Sequence, residues 1–143
     1  MKPVTLDADV IIKFPKRLPS HYLLTSVVVQ ELIAGAVDDS QAKEIAATAR
    51  QLDKEGRVLI PTLEDYIEAG RILNNLLRGA KSKKSGKTPK LPAEEKHRLF
   101  RDALIARCAR RAGATVVTDN LKDFKRIARY CNVTLIAGKD FFR

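Results

Sequence analysis

Tryptophan is absent from the 143 residues, and histidine and cysteine occur only twice each. Cys108 and Cys131 lie far apart in apolar surroundings without a CxxC spacing, so they read as a reduced buried pair and exclude both a disulfide framework and a cysteine-based metal knuckle. His21 and His97 have no partner at ligand spacing, which excludes a histidine-built metal site and assigns both to the surface. A long apolar run is missing too. The segment 1–14 carries a lysine and then apolar residues, but Asp7 and Asp9 interrupt it, so it reads as neither a signal peptide nor a membrane span. The expectation is a soluble, intracellular, cytoplasmic protein. There is no internal repeat.

What is present is enough apolar material for a core, 45% of the residues, in a length suited to one domain, 1–143. Basic residues outnumber acidic ones, 27 to 17, for a net charge of +10. Such an excess favours polyanions, nucleic acid first, although surplus lysine also keeps small proteins in solution. Charge alone leaves both readings open.

The hydrophobic pattern alternates between short β-type runs and longer helical stretches, the mark of an α/β chain with a mostly parallel sheet. Strands are expected at 4–6, 22–25, 57–60, 115–118 and 133–136, and helices at 26–36, 40–54, 63–77, 93–112 and 121–130, with Gly56 and Gly113 as C-terminal stops. The segment 79–92 breaks the pattern: it contains Lys81, Lys83, Lys84, Lys87 and Lys90, two prolines, two glycines and no acid. It reads as an exposed basic loop, suited to gripping RNA phosphates or else an inert insertion. Its Ser85-Gly86-Lys87-Thr88 imitates the end of a phosphate-binding P-loop, but Lys81 stands where that motif needs its first glycine, and a helix rather than a strand precedes it.

The more informative residues are acids in apolar places, because a carboxylate is costly to bury unless it is paired or binds a metal. Asp7 follows the first strand, at the strand end where open α/β sheets bind ligands, or it caps a short helix. Glu31 shares an apolar helix face with Val27 and Val28. Asp102 sits on the face of Leu99, Ile105 and Ala106, with a surface pairing to Arg98 or Arg101 as the alternative. Asp119 follows the strand at 115–118, with Asn120 next and Asp123 one turn on; each of these acids is equally explained as a cap or as a favourable charge at a helix start. Four carboxylates meeting at one sheet edge would raise one another's pKa steeply, and the simplest relief is a hard divalent cation, Mg²⁺ or Mn²⁺, one or two ions. The metal and catalytic candidates are therefore Asp7, Glu31, Asp102 and Asp119, with Asp123 as the alternative fourth ligand.

Four segments in order resemble the PIN domain, in particular the toxin component of VapBC-type toxin–antitoxin systems: Leu6-Asp7-Ala8-Asp9-Val10-Ile11-Ile12, then Ser26 to Leu32 with Glu31 and the Gly35 beyond, then Asp102-Ala103-Leu104-Ile105-Ala106, then Thr118-Asp119-Asn120-Leu121-Lys122-Asp123-Phe124. The resemblance covers nearly the whole chain. Asp9 departs from it, standing where that family often has Asn, and family members differ over whether the fourth acid falls near Asp119 or Asp123. It implies a three-layer α/β/α fold around a mostly parallel five-stranded sheet. It also implies a metal-dependent endoribonuclease, with Asp9, Ser26, Thr118 and Asn120 in support of the ligands, a cognate antitoxin as partner and a homodimer. Two other readings compete. A haloacid-dehalogenase-like phosphatase is suggested by Asp7-x-Asp9 and by Asp119 with Asp123, but gives no role to Glu31 or Asp102; an inactive RNA-binding module would keep the acids without using them.

Overall fold

The structure is a computed structural model that describes residues 2–79 and 91–143. Five parallel strands alternate with seven helices among these residues. In chain order they are β1 (Val4–Leu6), α1 (Ala8–Lys13), β2 (Leu24–Thr25), α2 (Ser26–Ala34), α3 (Asp39–Lys54), β3 (Val58–Leu59), α4 (Leu63–Gly79), α5 (Ala93–Ala112), β4 (Thr115–Thr118), α6 (Leu121–Ala128), β5 (Thr134–Ala137) and α7 (Gly138–Phe141). The basic lysines from Lys81 to Lys90 and the P-loop-like tetrad lie outside the described residues.

The expected five-stranded sheet is present in two parts. β1, β4 and β5 form a three-stranded sheet in the order β1-β4-β5, with Leu6 opposite Val117 and Val117 opposite Ile136, while β2 and β3 form a separate pair. A lone bridge between Thr5 and Leu23, with the Leu23 N–H donating to the Val4 carbonyl at 2.8 Å, joins the parts into the order β3-β2-β1-β4-β5. The β2–β3 pair stays short for local reasons. Thr25 turns at once into the cap of α2, where its hydroxyl accepts from Val28 N–H, and Pro61, two residues past β3, has no N–H to offer a ladder.

Alternation along the strands feeds two cores. Val116 joins Val28, Leu99, Ile105, Phe124 and Ile127 on one face, and Val117 joins Leu6, Val10 and Phe142 on the other. Helices therefore cover both faces, giving the three-layer α/β/α arrangement. α5 is buried at Leu99 and then from Asp102 through Ala106 to Cys108 and Ala109, and its alanines let neighbouring elements approach closely. It ends at Gly113, whose φ of 65° places it in the left-handed region that favours glycine, as the sequence led one to expect; Gly56 has a φ of 71°. α4 starts with a reciprocal cap, in which Thr62 N–H donates to the Asp65 carboxylate and Asp65 N–H donates to the Thr62 hydroxyl.

Two elements were not expected. α1, which the sequence offered only as an alternative role for Asp7, forms because Asp7 caps it; α7 forms after β5, and its end is clasped by aromatic stacking of Phe14 on Phe142, 4.5 Å between ring centroids. Arg17 closes that clasp by donating to the Phe142 carbonyl. Among the described residues no helix is long and apolar enough to cross a membrane. Both cysteines are buried and free, and both histidines are exposed.

Candidate active site

The chain passes from β1 to one side of the sheet and later returns through β4 on the other, so the carboxyl ends of β1 and β4 flank a switch point where a crevice opens. Asp7 stands at the first of these ends and is only 5% exposed. One of its carboxylate oxygens accepts from Ala8 N–H at 2.9 Å as the cap of α1, and the other accepts from the Thr118 hydroxyl at 2.8 Å. Capping and site placement are thus the same position. Burial pushes the Asp7 carboxyl above its ordinary pKa, against the hydrogen bond from Thr118, and the charge of Asp9 adds to the rise.

Asp102 comes up from the buried middle of α5 and is 7% exposed. No lysine or arginine among the described residues pairs with it, so the surface pairing that the sequence left open does not form; Arg101 instead reaches Glu31 at 3.7 Å. Burial first, and then the charges of Asp7, Asp123 and Glu31, push Asp102 up to about 8. Glu31, half-buried on α2, is raised by burial and by Asp7 and Asp9, and held back by Arg101. These acids feel one another across four elements.

The two acids after β4 part company. Asp123, on the first turn of α6, is tied to Asp102 through Asn120, whose side-chain amide donates to Asp102 at 3.0 Å and to Asp123 at 3.1 Å. Asn120 is itself held by its backbone N–H donating to the Thr118 hydroxyl at 2.9 Å, so Thr118 and Asn120 connect Asp7, Asp102 and Asp123 in one network. Asp119 turns the other way. Its carboxylate lies 3.8 Å from Lys13 and packs on Gly138, where an added Cβ would stand 2.6 Å from Asp119 Oδ1. The charges that raise Asp102 include Asp123 but not Asp119. Ser26 opens α2 directly after the capping Thr25, and Asp9 is exposed on α1.

Among the described residues no three His, Cys, Asp or Glu side chains are close enough to hold a metal ion as they stand. The donor set nevertheless suits one: every contributor is a carboxylate oxygen, the choice of hard divalent cations, and Asp102, buried on α5, forms no ion pair among the described residues. Seating an ion on three of them requires side-chain rotation.

Two features escaped the sequence. The Arg101–Glu31 pair crosses between helices, which no local spacing announces. A cleft of about 600 Å³ beside it is lined by Gln30, Glu31, Ala34, Glu94, His97, Arg98 and Arg101. Its α5 side follows a spacing of three, four and seven residues that was there to be read.

A family model described as the PIN domain matches residues 6–130. No curated protein matches the chain. Among solved structures, the DNA-bound VapBC of Salmonella typhimurium is similar at 25% identity over 96% of this chain and 99% of that one, with a TM-score of 0.61. VapBC-1 of nontypeable Haemophilus influenzae is 19% identical over 96% and 98%, at a TM-score of 0.60. VapBC2 of Rickettsia felis, bound to a fragment of promoter DNA, is 18% identical over 94% and 98%, also at 0.60.

Proposed function

Since the chain belongs to the PIN domain family, we propose that it is a metal-dependent endoribonuclease that hydrolyses RNA phosphodiesters, and the toxin of a toxin–antitoxin pair. The observation that carries the reading is Asp102, buried without an ion pair among the described residues and crowded by Asp7, Glu31 and Asp123 more than Arg101 relieves it. Natural chains seldom keep an uncompensated cluster of that kind unless a ligand completes it.

Asp7, Glu31, Asp102 and Asp123 would hold Mg²⁺ or Mn²⁺, with Asp119, held by Lys13 and Gly138, the less suited fourth donor. When bound, a divalent cation supplies activation of a water nucleophile and neutralises charge on the phosphoryl and leaving oxygens. The chain's own part is orientation. Thr118 fixes one oxygen of Asp7, and Asn120 spends both amide protons in aiming Asp102 and Asp123, leaving the remaining carboxylate oxygens for the ligand. With a metal-activated water as the attacking group, no side chain of the cluster is needed as a nucleophile. The lysines from Lys81 to Lys90, with Arg and Lys around the crevice, supply positive charge for flanking phosphates.

An antitoxin is the proposed protein partner. The solved relatives are VapBC structures, and an apolar cleft of about 450 Å³ lined by Ile11, Ile12, Leu32 and Ile45 beside α3 suits an amphipathic helix. Exposed Ile60, Leu63, Tyr66 and Ile67 around the start of α4 are the proposed contact with a second copy.

The test is incubation of the purified chain with total RNA in Mg²⁺ or Mn²⁺, with and without chelator. Cleavage that requires metal and drops at least about 100-fold in Asp7→Asn and Asp102→Asn is expected. An active Asp102→Asn variant would favour a phosphatase-like centre, and an inert wild type a non-catalytic RNA-binding module.

A further inference from the structure

The cleft beside Glu31 adjoins the carboxylate crevice through that residue and adds chemistry of its own. Glu94, His97, Arg98 and Arg101 recur at the spacing that puts side chains on one face of α5, and Gln30, Glu31 and Ala34 face them from α2. Its volume of about 600 Å³ lies within the roughly 300–1,000 Å³ that small-ligand sites occupy. Six of its seven lining residues carry polar or charged groups on stems that add apolar wall, a mixture that suits a nucleotide, with its charged phosphate and flat base.

We propose that this cleft seats one nucleotide next to the scissile phosphate of a single-stranded RNA, with Arg98 and Arg101 on its phosphate and Gln30 and His97 on its base. This rests on the ribonuclease reading and names a place where that enzyme would choose its sequence. Three observations carry it. First, the Arg101–Glu31 pair lines the cleft, so an occupant abuts a carboxylate of the catalytic group. Second, Arg98 stands exposed in the cleft and forms no ion pair among the described residues, which leaves its planar fork free for phosphate. Third, the two arginines are offset by Glu31 and Glu94, so the cleft is no extended basic track. It has cationic donors enough for one phosphate, together with an amide that can read a base edge, a ring that can stack on a base, and the small Ala34 to leave room for it.

The expected selectivity follows from which groups are removed. Gln30, His97 and Arg98 are exposed, so their substitution leaves the core untouched. The wild-type chain and the Gln30→Ala, His97→Ala and Arg98→Ala variants are given an RNA pool of randomised sequence with Mn²⁺, and the cut ends are sequenced. Gln30→Ala and His97→Ala should flatten the preference at one position flanking the cut by at least about threefold while other positions keep theirs. Arg98→Ala should act chiefly through KM, raising it about tenfold with a much smaller fall in kcat. An unchanged preference together with an unchanged KM overturns the proposal. So does a result in which these variants leave RNA kinetics alone and instead weaken inhibition by an antitoxin, which would give the cleft to a protein partner. If wild type cuts no RNA, the ribonuclease reading fails on its own. The cleft is then judged by anisotropy of a labelled mixed-sequence RNA dodecamer in chelator: weaker binding by Arg98→Ala and Gln30→Ala upholds a nucleotide site, and equal binding sinks it.

Discussion

Asp65 and Asp102 are both buried against or within α5, at opposite ends of an electrostatic scale. Asp65 is 0% exposed, yet it accepts from Thr62 N–H and from Arg111 at 3.1 Å and has Arg107 at 3.6 Å. Burial would raise its pKa, but these donors and the Arg111 charge outweigh it and leave the carboxyl below its ordinary value. Asp102 is nearly as deep, has one amide donor, and faces other acids; its carboxyl rises to about 8. The same residue type on the same helical frame thus serves two purposes. A buried carboxylate surrounded by cations fastens α4 to α5, whereas one surrounded by carboxylates keeps a place for something from outside.

Replacing both residues is the sharpest way to break this contrast. Asp65→Ala should cost about 3 kcal/mol, since it strands Arg107 and Arg111 and removes half of the α4 cap, and should lower the melting temperature by roughly 10 °C. Because the folded pKa of Asp65 is depressed, its contribution is present above the ordinary carboxylate range and lost as pH falls through the folded value. The defect should accordingly be constant from pH 5 to 8 and shrink in acid. Asp102→Asn should do the reverse, adding about 1–2 kcal/mol at pH 8 in chelator while abolishing RNA cleavage.

The sign follows from proton binding. Between the ordinary value of 3.8 and about 8 the folded chain holds a proton on Asp102 that the unfolded chain has released, so wild-type stability declines as pH rises through that window and the Asn variant escapes the decline. Melting curves at pH 5 and 8 should show the gap widening with pH, and Mn²⁺ should close it by stabilising wild type alone. A variant gap that is flat with pH would mean that Asp102 is not the proton holder. The smallest effect is expected at Gly138→Ala. The nearest atoms to the new Cβ are Asp119 Oδ1 at 2.6 Å, Val10 Cγ2 at 3.3 Å and Asp119 Cγ at 3.4 Å, so Asp119 swings away from Lys13 at a cost under about 1 kcal/mol. Metal-dependent cleavage should stay within about threefold if Asp123 is the fourth donor, and fall much further if Asp119 is.

Much of this frame could be read from residues alone. β1, β4 and α5 lie at their expected bounds because each runs to a clear stop, Asp7, Asp119 and Gly113 respectively. A strand end pointed to Asp7 and apolar helix faces to Glu31 and Asp102, and the structure buries them wholly or half. What local pattern could not decide was direction at the end of β4. Asp119 and Asp123 are equally good acids by sequence, and what separates them is Gly138, contributed by a helix that no periodicity announced, together with the amide of Asn120. The division of the sheet was equally hidden, since a two-residue strand carries too few residues to show a period.

That division bears on how the site closes. One residue pair, Thr5 with Leu23, joins the two plates of the sheet. Asp7 follows the bridge on the first plate, and Glu31 rides on the helix that leaves the second. A joint with a single rung opposes bending far less than a full ladder does. The sheet thus sets the span between these two acids through that rung and the Thr5 hydroxyl donating to the Leu23 carbonyl, rather than through a continuous ladder.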